Sequence, residues 1–155
     1  TSYYVASEVR TMEVEGTALL QLNKDSKLAL KNGQLVNVTD KDTVAVVKAQ
    51  FKYPVVILNK NGGTMADTAI VPTGATVCLA EDRNESAVIV MRGDVNGDGM
   101  VNTTDYVRIK SYFLKKVQLT GAYESAADCD GDNKITTADY LRVKSYLLKK
   151  LDLFA

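Results

Sequence analysis

One stretch of the chain decides the fold of its C-terminal part: Asp94-Val-Asn-Gly-Asp-Gly-Met-Val-Asn-Thr-Thr-Asp105. Oxygen-bearing side chains stand at positions one, three, five, nine and twelve, and position seven can offer a backbone carbonyl. This is the ligand spacing of a twelve-residue calcium loop, with Gly99 at position six for the sharp turn. The predicted ligands are Asp94, Asn96, Asp98, Met100 through its carbonyl, Asn102 and Asp105.

Three aspartates crowded into one loop would repel one another without a cation between them. The closing position of such a loop usually carries a bidentate Glu, whereas this loop closes with Asp105, which is one methylene shorter. An acidic, glycine-rich turn without metal is the alternative interpretation, and a second copy of the loop argues against it.

The second copy begins 34 residues later and predicts a second bound Ca²⁺. Asn133 replaces the turn glycine, and Asn is the residue other than glycine that best tolerates a left-handed backbone. Position nine is Thr136, at a place where coordination often passes through water. The predicted ligands are Asp128, Asp130, Asp132, Lys134 through its carbonyl, Thr136 and Asp139.

A helix follows each loop, and the two helices repeat one another closely. Residues 105–116 and 139–150 are identical at nine of twelve positions, and the other three exchange one apolar residue for another. Helical spacing predicts one buried stripe on each helix, which we assign to the contact between the helices. The stripes contain Tyr106, Ile109 and Phe113 in the first helix and Tyr140, Val143 and Leu147 in the second.

A second stripe on each helix mixes apolar side chains with hydroxyls and lysines. This mixture favours a surface for a protein partner, because grouped exposed apolar residues mark interaction sites. An ordinary surface with stray apolar residues is the alternative interpretation. The predicted partner face comprises Thr103, Thr104, Val107, Lys110, Ser111, Leu114 and Lys115, and in the second repeat Thr137, Ala138, Leu141, Lys144, Ser145, Leu148 and Lys149.

Charge and hydropathy limit the classes of partner. The chain has a formal net charge of zero and no apolar run near the ~20 residues of a membrane span, so we predict no nucleic-acid and no membrane partner. Residues 93–155 hold nine basic and nine acidic residues, and seven of the acids lie inside the loops. Two bound Ca²⁺ would leave this part with a net charge of +4, which suits an acidic or polar protein partner.

Residues 1–92 contain short apolar stretches separated by turn signals, which is typical of a β-rich module. We predict no helix of more than one turn before Gly93, and an antiparallel β-sandwich. The chain has no histidine, which removes Ser-His and Cys-His catalysis, and we find no other catalytic constellation, so we predict a non-enzyme. Strands are predicted within residues 3–14 and at 17–22, 34–38, 44–51, 55–58, 76–80 and 87–91.

The two cysteines, Cys78 and Cys129, match no zinc spacing. Two free thiols and a disulfide between them are both compatible with the sequence. We expect Cys129, at position two of the second loop, to point outward. Because the chain begins with Thr1 rather than Met, we interpret it as a piece of a longer polypeptide.

From Gly93 to about Phe154 the sequence resembles a type I dockerin. The resemblance rests on duplicated loops of the form Gly93-Asp-Val-Asn-Gly-Asp-Gly99, each closed by Asp and followed by one helix that ends in Leu-Lys-Lys. We expect no helix to enter either loop, which separates the pattern from a full EF-hand pair. The family's recognition positions fall on Thr103, Thr104, Lys110, Ser111 and Lys115, and on Thr137, Ala138, Lys144, Ser145 and Lys149.

The resemblance implies a non-catalytic module that binds a cohesin and anchors its parent protein to a scaffoldin, in an extracellular polysaccharide-degrading complex of the cellulosome or amylosome type. Near-symmetric repeats imply two binding orientations, and Thr104 against Ala138 breaks that symmetry. The β-rich part is similar to the X modules or immunoglobulin-like units that precede some dockerins. We therefore expect two domains, 1–92 and 93–155, in a chain that is monomeric when free. The alternative is a calcium- and carbohydrate-binding fragment whose β domain contacts glycan.

Overall fold

The computed structural model describes residues 19–154. A β-rich part precedes a helical part, which confirms the predicted order of the two classes. The strand predicted within residues 3–14 lies outside the described residues. In chain order the elements are β1 (Ala29–Lys31), β2 (Gln34–Val38), α1 (Val44–Lys48), β3 (Val55–Leu58), β4 (Thr76–Leu79), β5 (Ser86–Met91), α2 (Thr103–Phe113), α3 (Ala122–Ala127) and α4 (Thr137–Leu147).

The strands form one five-stranded sheet in the order β1-β2-β5-β4-β3. β2 and β5 are parallel, with Leu35 beside Ile89, and the other neighbouring strands are antiparallel. The predicted antiparallel arrangement is therefore wrong at this pair, and residues 19–154 hold one sheet rather than the two of a sandwich. A parallel pair needs a long crossover, and the chain supplies it with the residues that carry α1, β3 and β4.

A short helix stands where we predicted a strand at residues 44–51. Thr43 caps it, because the Thr43 hydroxyl accepts the Val46 N–H at 3.3 Å. Val44 and Val47, three residues apart, both face the core and are fully buried. Valine favours strands, but the cap and this burial outweigh that preference. The expectation of no helix beyond one turn before Gly93 is wrong at this segment.

The other strand predictions differ in outcome. Those at residues 34–38 and 55–58 are confirmed, and those at 76–80 and 87–91 agree with β4 and β5 to within one residue. Of the strand predicted at 17–22, the described residues form only an isolated bridge between Leu22 and Phe51. β1 was not predicted from the sequence, and it is joined to β2 by a two-residue turn with positive φ at Asn32 and Gly33.

Two hydrophobic cores meet at β5. Ala87 and Ile89 belong to the first core, which the sheet forms with α1, whereas Val90 and Met91 belong to the second. The second core also contains Ile109 of α2, and it extends to Val143 of α4 and Leu153 near the end of the chain. The packing is therefore continuous across residue 92, and the boundary between 92 and 93 stays a prediction.

The helix α3 was not predicted from the sequence. Its buried face consists of Ala122, Ala126 and Ala127, which pack in the second core, and α3 lies against β5. Three alanines carry too weak an apolar pattern to predict a helix from periodicity. Because α3 ends at the residue before Asp128, a helix does enter the second loop, contrary to our expectation. The first loop is entered by β5, as expected.

Candidate calcium centres and partner face

Both predicted loops bring their carboxylates together. Ligand oxygens of Asp94, Asp98 and Asp105 lie within 4.8 Å of one another. In the second loop the same limit holds for four aspartates: Asp128, Asp130, Asp132 and Asp139. Clustered hard oxygens at this separation fit Ca²⁺, which prefers six to eight oxygen ligands.

The carboxylate at position one is fixed by backbone N–H groups of its own loop. One oxygen of Asp94 accepts the N–H groups of Gly97 and Asp98 at 3.0 and 3.1 Å, and the other accepts that of Gly99 at 3.0 Å. The second loop repeats this arrangement around Asp128. Its oxygens accept the N–H groups of Gly131 at 2.9 Å, Asp132 at 3.2 Å and Asn133 at 2.8 Å.

The carboxylate at position twelve joins the start of the loop to the start of the helix. One oxygen of Asp105 accepts the N–H groups of Val95 and Asn96 at 3.0 and 3.3 Å, and the other accepts that of Asn102 at 2.9 Å. The bond to Asn102 also forms half of a capping box at the start of α2.

Asp139 makes the corresponding contacts in the second repeat. It accepts the N–H groups of Cys129 at 2.9 Å, Asp130 at 3.2 Å and Thr136 at 2.6 Å. Asp105 and Asp139 are both fully buried. The aspartate at the closing position therefore accepts hydrogen bonds both from the start of its loop and from the residue that caps the following helix.

Burial makes these carboxylates costly to ionise in the absence of a cation. It raises the pKa of Asp105 to about 6, and the neighbouring Asp94 adds to the rise, while the Asn102 N–H opposes it. Burial likewise raises the pKa of Asp94, Asp128 and Asp139. A bound cation would reverse this effect, because opposite charge at short range favours the ionised form.

The turn residues adopt the backbone that the sequence predicted. Gly99 has φ +81°, and Asn133, which replaces glycine at the same position of the second loop, has φ +66°. Asparagine is thus present in the left-handed region that it tolerates better than most residues.

The remaining predicted ligands hold the loops in shape. Asn96 donates to the Asp98 carboxylate at 3.2 Å, and the Asn102 side chain accepts the Thr104 N–H at 3.0 Å as the cap of α2. Met100 and Lys134, predicted as carbonyl ligands, have exposed side chains, which suits positions where only the backbone would contribute.

Cys129 is fully buried, so the expectation that it points outward is wrong. Its counterpart in the first loop, Val95, is also buried, because position two of each loop packs into the second core. Both cysteines are free thiols, and burial raises the pKa of Cys129 to about 12. A thiol in that state is protonated and unreactive.

The predicted partner face is open to solvent on both helices. Its four large apolar residues, Val107, Leu114, Leu141 and Leu148, are 52%, 59%, 49% and 56% exposed. The buried stripes point the other way, with Ile109 and Val143 fully buried and the rings of Tyr106 and Tyr140 5.8 Å apart. The threonines and lysines of the face are exposed, as is Ala138, and Ser111 and Ser145 are half-buried.

One residue at the first loop was not predicted. Thr73, in the β-rich part, donates its backbone N–H to the Asp94 carboxylate at 3.0 Å. Nothing local distinguishes Thr73 in the sequence, since the contact joins residues 21 positions apart.

Residues 92–148 match the protein-family model for the dockerin type I domain. This match confirms the resemblance for that part of the chain, and the β-rich part lies outside it. Dockerin type I domains are non-catalytic modules that bind calcium and bind cohesin domains of scaffoldins in cellulosome-type complexes, and the proteins that carry them are typically extracellular. No curated protein matches the chain. Within residues 19–154, no helix is long and apolar enough to cross a membrane.

Proposed function

We propose that residues 93–155 bind two Ca²⁺ and a cohesin, and thereby anchor the parent protein to a scaffoldin in an extracellular polysaccharide-degrading complex. The observation that carries the proposal is the duplicated hydrogen-bond arrangement. In each loop, backbone N–H groups point at the carboxylates of positions one and twelve from equivalent residues 34 positions apart.

In this proposal the loops set the geometry of the helices. Asp105 and Asp139 each bond both to the first residues of a loop and to the residue that caps the following helix. A loop organised around a cation would therefore fix where α2 and α4 begin, and with them the exposed stripes. The metal would supply the positive charge that the buried carboxylates lack.

The exposed apolar residues would form the centre of the contact with the cohesin. Val107 on α2 and Leu114 at its C-terminal end stand near Lys110 and Lys115 in sequence, and the same pattern recurs at α4. Apolar side chains surrounded by polar and charged groups are the usual anatomy of a protein–protein interface. Because both stripes are exposed, each helix is available to a partner.

Binding to a panel of cohesins, with calcium and with a chelator, tests the proposal. We expect chelation to abolish binding and to reduce the helical circular dichroism, because metal binding and folding are coupled in small metal-dependent modules. Helical dichroism and cohesin binding that are both unchanged in chelator would contradict it.

Separate substitutions then test the use of the two faces. We expect Thr103→Ala with Thr104→Ala to impair one orientation, and Thr137→Ala to impair the other. If both faces are used, each change alone weakens binding only about twofold, since one of two equivalent modes remains. Loss of all binding from one change would restrict the contact to a single face.

A further inference from the structure

The two loops are built alike, but their surroundings differ. Asp94, at position one of the first loop, is fully buried, whereas its counterpart Asp128 is half-buried. Ile70 and Thr73 of the β-rich part lie against the first loop, as does the Tyr123 ring of α3. Thr73 donates its backbone N–H to the Asp94 oxygen that also accepts the Gly99 N–H. The matching oxygen of Asp128 accepts the Asn133 N–H alone among the described residues.

Thr73 is itself fixed to the last residue of β5. Its hydroxyl accepts the Met91 N–H at 2.9 Å and donates to the Met91 carbonyl at 3.1 Å. The side chain is buried, and the next residue, Gly74, donates its N–H to the Ile89 carbonyl at 2.9 Å. The donor that meets Asp94 is therefore held by the sheet, not by the loop.

The backbone of the first loop also packs directly on this segment. A Cβ added to Gly97 would lie 2.8 Å from the Thr73 carbonyl oxygen, and one added to Gly99 would lie 3.4 Å from the Ile70 side chain. At Gly131, the equivalent of Gly97 in the second loop, an added Cβ would meet nothing within 4 Å. The contact with the β-rich part thus belongs to the first loop.

We propose that Thr73 is a positioning residue for calcium binding at the first loop, orienting Asp94 from the β-rich part, and that the second loop binds without such help. This inference rests on the proposed function, in which both loops bind Ca²⁺. A carboxylate held in place before the ion arrives loses less freedom on binding. A fixed N–H also stabilises the ionised carboxylate that a metal ligand must be.

The test measures calcium affinity one loop at a time in the 155-residue chain, by isothermal titration calorimetry. Asp130→Ala with Asp132→Ala removes the second site and leaves the first, and Asn96→Ala with Asp98→Ala does the reverse. Thr73→Val keeps the shape of the side chain and removes the hydroxyl that fixes the segment. Without this hydroxyl the Thr73 N–H is no longer held against the Asp94 carboxylate. We expect the calcium affinity of the first site to fall about tenfold, which corresponds to the loss of that one charge-assisted hydrogen bond. The second site should change by less than about twofold, as for distant independent positions.

Thr73→Ser restores the hydroxyl and should restore the affinity of the first site. Equal weakening of both sites would mean that Thr73 only supports the fold, and it would overturn the inference. So would an unchanged first site. If neither loop binds calcium in these backgrounds, the proposed function fails and the inference fails with it.

A matched glycine pair keeps the test decisive even if Thr73→Val folds poorly. Gly97 and Gly131 have nearly the same backbone, with φ +75° and +79°, so Gly97→Ala and Gly131→Ala introduce similar strain. The added methyl of Gly97→Ala would lie 2.8 Å from the Thr73 carbonyl oxygen and 3.0 Å from the Tyr123 ring, whereas that of Gly131→Ala meets nothing within 4 Å. We expect Gly97→Ala to weaken its own site by at least about tenfold more than Gly131→Ala weakens its site. Equal losses would show that the contact with Thr73 does not matter to binding.

Discussion

The hydrogen bond between Tyr146 and Asp40 makes a measurable prediction about how the two parts of the chain are joined. The Tyr146 hydroxyl, on α4, donates to the Asp40 carboxylate of the β-rich part at 2.5 Å. Tyr146→Phe removes this bond and keeps the ring, whose edge contact with Phe154 has a centroid distance of 5.7 Å. Tyr112 stands at the equivalent place on α2 and donates no such bond among residues 19–154, so Tyr112→Phe is the matched control.

The expected loss follows from the type of bond. A hydrogen bond to a charged group contributes about 1.5–3 kcal/mol to stability. Because Tyr146 and Asp40 are partly exposed to solvent, we expect the contribution of this bond to be smaller. Tyr146→Phe should therefore lower the free energy of unfolding by about 1–2 kcal/mol. Tyr112→Phe should cost less than about 0.5 kcal/mol, because it keeps the half-buried ring and removes a hydroxyl that donates no hydrogen bond among residues 19–154.

The assay is urea denaturation in saturating calcium, with Asp40→Asn and the double variant completing a cycle. We expect a coupling energy of about 1 kcal/mol between positions 40 and 146. Equal effects of Tyr146→Phe and Tyr112→Phe, or a coupling near zero, would refute the reasoning.

Alkaline titration offers a second readout of the same bond. Burial raises the pKa of Tyr146 from 10.0 to about 12, and the hydrogen bond and charge of Asp40 act in the same direction. The folded state therefore holds this proton more tightly than the unfolded state. The stabilisation is fully present below pH 10 and is lost as the pH rises toward 12. Absorbance at the tyrosinate band should show a late-titrating component that disappears in Tyr146→Phe.

Two further predictions concern the loops and the ends of the helices. In calcium-free protein, the pKa of Asp105 is raised from 3.8 to about 6, so the folded state binds this proton more tightly than the unfolded state. The free energy of unfolding should therefore fall as the pH rises from about 4 to about 6. Urea denaturation at a series of pH values should show this fall, and Asp105→Asn should flatten it. Lys115 and Lys149 have φ +58° and +60° at the equivalent helix ends, so Lys115→Gly and Lys149→Gly should each raise the free energy of unfolding by about 1 kcal/mol. If these lysines contact a cohesin, the same variants should bind it less tightly; a loss of stability in urea would contradict the strain argument.

The loops and their helices could be predicted from the sequence because their contacts are short-range. Every hydrogen bond that holds Asp105 comes from within ten residues, and the Asp139 bonds repeat them at the same spacing. Such local structure depends on which residue types stand at which positions of the loop, and a twelve-residue sequence pattern contains that information. The buried stripes of α2 and α4 follow from helical spacing for the same reason.

The sheet order and Thr73 could not be predicted in this way. The pairing of Leu35 with Ile89 and the bond between Thr73 and Asp94 each join distant parts of the chain, and alternation of apolar residues does not specify a strand's neighbour. The helix at Val44–Lys48 shows the same limit, since its valines favour a strand locally and only burial of Val44 and Val47 makes the helix favourable.

The two repeats are nearly identical in sequence, but only one end of the pair is joined to the β-rich part, so their contacts with that part differ. The β-rich part meets the first loop through Thr73 and meets α4 through Asp40, whereas the matching places on the second loop and on α2 lack these contacts among residues 19–154. Neither contact covers an exposed stripe, since Leu114 and Leu148 remain equally open. The asymmetry therefore affects the first loop and the stability of the chain. It leaves any preference between two binding orientations to the faces themselves, where Thr104 stands against Ala138.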